Sequence, residues 1–460
     1  MYLKKYHIHF VGIGGIGMSG IAELLINLGY KVSGSDVKSS DITRRLKKLG
    51  GIIFKGHRKN HISDSDVVVV SSAIDKKNPE VTAAREMSIP VIPRAEMLAE
   101  LMRLKYSVAV AGAHGKTSTT SIISSVLEKG GLDPTVVIGG KLKSIGSNAL
   151  LGHGDFIVAE ADESDGSFLK MSPTIAVVTN IDREHLDFYK DLNDIKNAFL
   201  NFIDRVPFYG LAVLCLDNEP VQKLIPEIRK RFTTYGMSTQ ADFQAKNVKF
   251  EGLKSKFSIE HNGKPLGDIT LNLPGIHNVY NSMASIAVGI ELDIDFEVIK
   301  NALETVEGVQ RRLEIKGEIN SITVVDDYGH HPTEIKVTLQ AAKESWPDRR
   351  KVVVFQPHRY TRTRALFDDF TRSFYQSDVL VVLPVYAAGE KKIEGVESDL
   401  MCEEIRAHGH RKVICKKSIK GAVSHLKDIL KPGDILLTLG AGDVWKVGEE
   451  ILKSVPLCGT

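Results

Sequence analysis

Short runs of consecutive apolar residues alternate along the chain with segments that are apolar at helical spacing. Strand signals occupy 6–11, 31–33, 67–70, 106–111, 352–355 and 435–439, and segment 333–344 has the period of an amphipathic helix. A continuous apolar run is typical of a strand buried on both faces, as in a parallel sheet covered by helices. The pattern therefore predicts an α/β protein built on open parallel sheets.

The alternation begins afresh twice, which predicts three α/β domains. We place them at 1–105, 106–312 and 313–460, since 460 residues are too many for one hydrophobic core. Within the second, residues 248–273 alternate apolar and polar side chains around Asn262-Gly263, which predicts a small antiparallel patch with a hairpin. We expect the first and third domains to be Rossmann-like and the central one to resemble a P-loop ATPase.

Composition and charge narrow the classes of function. Apolar residues make up 43% of the chain, charged residues 25%, and the formal net charge is +3, so neither nucleic acid nor a membrane surface is indicated as a partner. Four scattered cysteines without a C-x-x-C pair favour free thiols in a reducing compartment. The sequence shows no apolar run near the ~20 residues that span a bilayer and no secretory signal. We expect a cytoplasmic protein that is a monomer or a weak homodimer.

A glycine-rich loop between a predicted strand and a predicted helix carries the clearest chemistry. It reads Gly112-Ala113-His114-Gly115-Lys116-Thr117-Ser118-Thr119. Glycines let backbone N–H groups approach a phosphate, and the helix N-terminus adds its partial positive charge. We expect Lys116 to neutralise the β- and γ-phosphates of a triphosphate and the Thr117 hydroxyl to reach Mg²⁺. The loop departs from the Walker A pattern, because Val110 stands where that pattern has its first glycine.

A second glycine loop follows the first predicted strand. Gly12-Ile13-Gly14-Gly15-Ile16-Gly17 matches G-x-G-x-x-G, and Asp36 lies at about the spacing of a ribose-binding acid. Such a loop binds a diphosphate, which NAD(P), FAD or a nucleotide sugar could supply, so a dehydrogenase stays open at this point. His57 and the segment 71–74 follow neighbouring strands and put small or hydrogen-bonding groups near the same crevice.

Charged side chains gather where other predicted strands end. Residues 160–165 (EADESD) hold four acids in six positions, which cannot all ionise cheaply in a crevice unless cations share it. Mg²⁺ prefers such hard oxygen ligands, and His185, after the next strand, is a further candidate ligand. Segments 277–281 and 326–332 add histidines, asparagines and acids, and 356–364 concentrates guanidinium groups suited to carboxylate or phosphate.

Together these motifs resemble the Mur ligase family over essentially the whole chain. The resemblance rests on GIGGIGMSG, SSAI, GAHGKTSTT, EADESDGSF, TNIDREHLD, GIHNVYN, QRRLE, DDYGHHPTE, QPHRYTRT and GAGD, in that order. It implies three domains that hold a UDP-sugar, ATP and an amino acid, and an ATP-dependent ligase of peptidoglycan precursor synthesis. The motifs are most similar to members that add L-alanine to the lactyl carboxylate of UDP-N-acetylmuramate through an acyl phosphate. Three alternatives remain: a recycling ligase that adds a preformed peptide, an NAD-dependent dehydrogenase and a non-catalytic nucleotide-binding module.

The resemblance also implies roles for individual residues. Catalysis would involve Lys116, Glu160, His185 and Arg312, and Mg²⁺ would be held by Thr117, Glu160 and His185. ATP would contact Gly112, Ala113, His114, Gly115, Lys116, Thr117, Ser118, His277, Asn278, Asn281, Arg312 and Asp327. The UDP-sugar would contact Gly12, Gly14, Gly15, Ile16, Gly17, Ser35, Asp36, His57, Ala73 and Ile74, and L-alanine would contact Tyr328, His358, Arg359, Arg362 and Ala441.

The chain departs from the family pattern at two places. Ala113 stands where members often carry threonine, which removes one possible hydroxyl contact. Several members carry a carbamylated lysine near a second metal, but segment 194–199 gives no clean match. We therefore expect Lys196 to stay unmodified.

Overall fold

The protein is described by a computed structural model that covers residues 6–71, 73–139, 149–185 and 188–454. Ser72 of the SSAI motif and Cys458 lie outside these residues. The chain divides into two compact units, the first made of Met1–Val248, Phe257–Leu271 and Asn278–Gly308 and the second of Lys249–Lys256, Asn272–His277 and Val309–Thr460. Three sheets confirm the α/β architecture predicted from the sequence, while the predicted domain limits stay a prediction. Within the described residues, no helix is both long and apolar enough to cross a membrane.

The first sheet has five parallel strands and occupies the N-terminal part of the first unit. Its elements are β1 (His7–Val11), α1 (Ile16–Asn27), β2 (Lys31–Asp36), α2 (Asp41–Lys48), β3 (Ile52–Lys55), β4 (Val67–Val70), α3 (Pro79–Glu86), β5 (Val91–Pro93) and α4 (Arg94–Met102). The strand order is β3-β2-β1-β4-β5. The order reverses between β1 and β4, and α/β sheets bind ligands in the crevice beyond such a switch point.

The sequence predicted that β2 ends at Ser33, but the strand continues to Asp36. Gly34 looks like a turn residue in the sequence. In the structure it allows a close approach, since a Cβ at this position would lie 2.5 Å from Ile13 Cδ1. A glycine inside a strand marks this kind of contact.

The second sheet has ten strands and carries the Lys116 loop. Its elements are β6 (Tyr106–Ala111), α5 (Lys116–Lys129), β7 (Thr135–Val137), β8 (Ala149–Leu150), β9 (Phe156–Glu160), β10 (Ile175–Val178), α6 (Leu192–Ile203), β11 (Leu211–Cys215), α7 (Glu219–Gln222), β12 (Phe232–Gly236), β13 (Phe243–Glu251), β14 (Lys254–His261), β15 (Lys264–Leu271), α8 (Ile276–Glu291) and α9 (Phe296–Thr305). The strand order is β15-β14-β13-β12-β11-β10-β6-β9-β7-β8. Asn262 and Gly263 have φ of 51° and 74°, which suits a type I′ turn and confirms the predicted hairpin.

The third sheet has six strands and lies in the second unit. Its elements are β16 (Glu314–Ile319), β17 (Ile322–Asp327), α10 (Pro332–Ser345), β18 (Lys351–Phe355), α11 (Tyr360–Ala365), α12 (Phe367–Thr371), β19 (Val379–Val382), α13 (Ser398–Ala407), β20 (Val413–Cys415), α14 (Ile419–Ile429), β21 (Ile435–Leu439) and α15 (Trp445–Ser454). The order is β16-β17-β21-β18-β19-β20, with β16 antiparallel and the other pairs parallel. Separate apolar clusters around Leu339 and around Leu426 contain alternate residues of the same central strands, as expected for a sheet with helices on both faces.

One apolar core of the first unit includes residues around both of its sheets. Ile21 and Leu98, from α1 and α4, belong to the same cluster of buried side chains as Phe168 and Phe202. The start of α4 lies near the loop that follows β9, since Arg94 Nη2 donates to Asp162 Oδ2 at 3.2 Å.

Candidate active site

The Lys116 loop is shaped by two glycines at which any side chain would be strained and crowded. Gly112 has φ 142° and Gly115 has φ 82°, conformations that L side chains rarely adopt. A Cβ on Gly112 would lie 2.1 Å from Thr179 Oγ1, and one on Gly115 would lie 2.8 Å from Asn281 Oδ1. The loop thus sits tightly against the end of β10 and the first turns of α8.

Side chains that follow β10 hold the loop in place. The Thr179 hydroxyl and the Asn180 amide both donate to the carbonyl of His114, at 2.7 and 3.0 Å. The His114 N–H donates to Asn180 Oδ1 at 2.8 Å. The backbone of the loop is therefore fixed before any ligand binds, which reduces the ordering cost of gripping a phosphate.

Lys116 forms a buried ion pair with an acid that was not among the predicted site residues. Its ammonium donates to both carboxylate oxygens of Glu163 at 2.9 Å and also to the Gly112 carbonyl. Burial alone would lower the pKa of Lys116, but the Glu163 carboxylate raises it above its ordinary value. Burial likewise opposes ionisation of Glu163, and Lys116 and His185 lower the pKa of that carboxyl. Both groups are charged at neutral pH.

Acidic groups beside this pair could hold a divalent cation. Ligand atoms of Glu163, Glu184 and His185 all lie within 4.8 Å of one another, and His185 Nε2 is 3.4 Å from Glu163 Oε1. Glu160, predicted as a ligand, accepts a hydrogen bond from the Gly139 N–H at 2.8 Å and does not belong to this convergent group. The carboxylate oxygens suit Mg²⁺, so Glu163 and Glu184 join the candidate ligands beside Thr117, Glu160 and His185.

The first glycine loop is fastened by the acid that was expected to bind a ribose. Asp36 Oδ2 accepts the Gly14 N–H at 2.9 Å, and Asp36 Oδ1 accepts the Lys38 N–H at 3.1 Å. A Cβ on Gly14 would lie 2.8 Å from Asp36 Oδ2. Asp36 therefore supports the loop through one backbone hydrogen bond to each of its carboxylate oxygens.

Arg94, at the start of α4, lies between the two glycine-loop regions of the first unit. Its guanidinium donates to Asp162 in the acidic loop at 3.2 Å. A Cβ on Gly17 would lie 2.5 Å from Arg94 Nη1. The structure thus brings a cation between the diphosphate-type loop and the acids beyond the Lys116 loop, although no spacing in the sequence marks this arginine.

The other residues predicted to contact ATP divide between the two units. In the first, Asn281 Oδ1 accepts from the Thr119 hydroxyl at 3.0 Å, and the Asn281 amide donates to Asn278 Oδ1 at 3.2 Å. In the second, the Arg312 guanidinium lies 3.4 Å from Glu334 and 5.6 Å from the centre of the Tyr328 ring. Burial raises the pKa of Asp327 to about 6, against the opposing effect of Arg312.

The second unit also gathers the residues predicted to contact the amino acid. Four rings form a continuous set, here called the aromatic row: Tyr328, His330, His358 and Tyr386, with neighbouring centroids 5.3, 5.8 and 5.5 Å apart. Arg362 Nη1 lies 3.4 Å from His358 Nδ1, and the Arg359 N–H donates to the Tyr386 carbonyl.

The GAGD loop packs on the end of this row, since a Cβ on Gly442 would lie 2.8 Å from Tyr386 Cγ. The GAGD loop, which contains Ala441, therefore lies beside the other residues predicted to contact the amino acid, Tyr328, His358, Arg359 and Arg362. Sequence reasoning missed His330, although it stands within DDYGHHPTE, and it missed Tyr386, which no motif marks.

Neutral histidines make the second unit sensitive to acid. Burial and Arg362 lower the pKa of His330 to about 3 against the opposing charge of Glu334, and burial with Arg362 and Arg359 lowers that of His358 to about 4. These rings stay neutral in the fold but are protonated in the unfolded chain below about pH 6.5. Stability is therefore lost as pH falls from about 6.5 towards the folded-state values.

We expect His330→Gln to reduce this acid sensitivity. One such histidine costs about 1.4 kcal/mol per pH unit, or about 2 kcal/mol between pH 6.5 and pH 5. Chemical unfolding at pH 7 and pH 5 should show a smaller loss for His330→Gln than for the wild type, by about that amount. His153→Gln, at an exposed position, is the control, and an equal loss in all three proteins would refute the assignment.

Three family models match the chain in succession. They are the catalytic domain of the Mur ligase family over residues 7–106, the Mur ligase middle domain over 110–289, and the Mur ligase glutamate ligase domain over 311–442. The chain is 68% identical over 454 residues to UDP-N-acetylmuramate–L-alanine ligase of Desulfatibacillum aliphaticivorans, covering 99% of this chain and 100% of the relative. It is 57% identical over 456 residues to the ligase of the same name from Geobacter sulfurreducens, covering 99% of each.

A solved structure has the same fold along nearly the whole chain. UDP-N-acetylmuramate–alanine ligase MurC from Thermotoga maritima matches with a TM-score of 0.82 and 30% identity, over 97% of this chain and 98% of that one. Both sequence and structure comparisons thus extend over the glycine loops, the acidic loop and the aromatic row. The chain belongs to the Mur ligase family.

Proposed function

We propose that this protein is an ATP-dependent ligase that joins L-alanine to the lactyl carboxylate of UDP-N-acetylmuramate, the first peptide-forming step of peptidoglycan precursor synthesis. Its relatives carry that activity in their names at 57–68% identity over the full chain. The observation that carries the proposal is the pair of glycine loops in one compact unit. The Arg94 guanidinium lies beside Gly17 of the first loop and donates to Asp162 in the acidic loop near the second. One loop suits the diphosphate of a UDP-sugar, and the other suits ATP.

The reaction begins by bringing two anions together. A carboxylate oxygen attacks the γ-phosphorus of ATP, the bond to ADP breaks, and an acyl phosphate forms. Lys116 is placed to offset the charge on the phosphates, since a cation in a buried site acts far more strongly than one in water. Mg²⁺, when bound, would supply further charge neutralisation, and Thr117, Glu160, Glu163, Glu184 and His185 are the residues proposed to hold it.

The second step forms the amide. The neutral amine of L-alanine attacks the acyl carbon, the nitrogen loses a proton, and the tetrahedral intermediate expels phosphate. In this proposal the guanidinium groups of Arg359 and Arg362 recognise the carboxylate of alanine, as paired N–H donors suit a planar anion. In the same proposal, rings of the aromatic row enclose the methyl side chain of alanine. One methylene discriminates by only ~1–3 kcal/mol, so some use of glycine or serine is expected.

The assignment of substrates to parts of the chain is included in the proposal. Residues 1–105 would bind the UDP-sugar through Gly12, Gly14, Gly15, Ile16, Gly17, Ser35, Asp36, His57, Ala73 and Ile74. Residues 106–312 would bind ATP, and 313–460 would bind the amino acid. The proposal also includes a cytoplasmic setting, which is supported by three free cysteines among the described residues, Cys215, Cys402 and Cys415. It includes a monomer or weak homodimer as the oligomeric state.

Release of phosphate from ATP tests the proposal. The full chain with Mg²⁺, ATP, UDP-N-acetylmuramate and L-alanine should release phosphate, and omission of any one of them should reduce the rate to background. A preformed tripeptide in place of L-alanine should not support release. Equal release with the tripeptide would favour the recycling ligase, and reduction of NAD⁺ by any substrate would restore the dehydrogenase.

A further inference from the structure

A glutamate that no motif marks is fully buried below the first glycine-loop crevice. Glu80, in the first turn of α3, is 0% exposed. Burying a carboxylate is costly unless it is paired and hydrogen-bonded, and no lysine or arginine side chain pairs with it among the ion pairs of the described residues. Its partners are instead a serine hydroxyl, histidine rings and a backbone N–H.

Glu80 connects the ends of strands that border the crevice. Its Oε2 accepts from the Ser35 hydroxyl at the end of β2 and lies 3.2 Å from His57 Nδ1, just beyond β3. Its Oε1 accepts from His61 Nδ1 at 2.6 Å and from the Arg58 N–H at 3.2 Å. Burial alone would raise the pKa of Glu80, but the neighbouring His9, Ser35 and His61 lower it to about 2. The carboxylate is therefore charged at neutral pH.

Through the buried Ser35, this network sets which atom His57 can offer to a ligand. The Ser35 hydroxyl donates its hydrogen bond to Glu80 Oε2. His57 Nδ1 lies 2.8 Å from Ser35 Oγ, so this ring nitrogen carries a proton and donates a hydrogen bond to that oxygen. In a neutral imidazole this leaves Nε2 as an acceptor. No hydrogen bond to His57 Nε2 occurs among the described residues, and the side chain is 16% exposed.

We propose that Glu80 is a positioning residue of the UDP-sugar pocket, which holds Ser35 and His57 so that His57 Nε2 accepts a hydrogen bond from an N–H or O–H of the uridine. The inference rests on the proposed function and names the part of the substrate concerned. Glu80 acts through these two side chains and does not itself touch the ligand.

A metal centre does not explain this cluster. His9 Nε2 lies 3.6 Å from Glu80 Oε2 and has no hydrogen-bond partner. However, among the described residues, no three of His9, His57, His61 and Glu80 have ligand atoms that all lie within 4.8 Å of one another. Hydrogen bonding to Ser35 and His57 is thus the role that the geometry supports.

The test is calorimetric binding of UDP and of ATP to the full chain. Glu80→Gln should raise the Kd for UDP about 10- to 100-fold, because an ordered hydrogen bond in the pocket is lost, and should leave the Kd for ATP unchanged. Glu86→Gln, the same change at the exposed end of α3, should alter neither. Kinetics should show the same separation, with KM raised for UDP-N-acetylmuramate and not for ATP or L-alanine.

A double-mutant cycle checks that Glu80 acts through its partner. Adding Glu80→Gln to Ser35→Ala should weaken UDP binding by much less than it does in the wild type. Equal UDP binding by wild type and a folded Glu80→Gln would overturn this inference alone. Equal weakening of UDP and ATP binding would indicate a merely structural role and would also overturn it. Failure of the wild type to bind UDP would instead overturn the proposed function.

Discussion

Lys116→Ala is expected to lose most of the turnover, about 10²–10³-fold or more, while the protein still binds UDP-N-acetylmuramate. Lys116 is the first residue of α5, directly after the glycine loop, and its ammonium donates to the carbonyl of Gly112 in that loop. The UDP-sugar loop belongs to another sheet, so its binding should survive. Turnover is measured as phosphate release and binding by calorimetry. Lys129→Ala, at the other end of α5, is the matched control.

Stability has to be separated from catalysis in this experiment. Removing Lys116 leaves Glu163 as a buried carboxylate without its partner, which costs about 3–5 kcal/mol. The double variant Lys116→Met/Glu163→Gln removes both charges together and should recover most of the lost stability while remaining inactive. Recovery of turnover in the double variant, or unchanged turnover in Lys116→Ala, would refute the role given to Lys116.

Gly112→Ala is expected to have the second-largest effect, on stability and on ATP use together. Its φ of 142° costs an alanine about 1–3 kcal/mol. The added methyl would also lie 2.1 Å from Thr179 Oγ1 and 3.0 Å from the Asn180 carbonyl. Because these residues hold the His114 carbonyl, the loop would shift away from its phosphate-binding shape. We expect a lower Tm and an ATP Kd raised by at least tenfold.

A variant at a second glycine separates the effect of backbone strain from the effect of steric crowding by the added methyl group. Gly131 also has a positive φ, 78°, but nothing lies within 4 Å of a Cβ built there. Gly131→Ala should therefore show only the backbone cost, with ATP binding unchanged. Thr179→Ala in the Gly112→Ala background should recover part of the stability. Equal effects of the two glycine variants on ATP binding would contradict this account of the loop.

Most strands of the fold could be predicted because a strand that is buried on both faces consists of a continuous apolar run. The run at 435–439 coincides with β21, and the period of 333–344 lies within α10. The end of β2 was missed since Ser33-Gly34-Ser35 has the composition of a turn. Only the neighbouring Ile13 shows why a glycine is needed inside that strand.

The glycine loops could also be predicted, because phosphate binding demands a particular spacing of small residues. The sequence could not predict which acid of the loop after β9 contacts Lys116. Residues 160–165 are chemically alike in the sequence, and only the course of the loop after β9 directs Glu163 to Lys116 and Glu160 to the Gly139 N–H. Glu80 and Arg94 look like ordinary charged residues at helix starts, since their partners are distant in sequence.

The central claim is that ATP activates the lactyl carboxylate for attack by L-alanine. It is tested most directly by the isotope content of the phosphate released when both oxygens of that carboxylate are ¹⁸O. The account predicts one ¹⁸O in each phosphate, formed one-for-one with the alanylated product and only when L-alanine is present. Phosphate without ¹⁸O, or its release at the same rate without L-alanine, would contradict it.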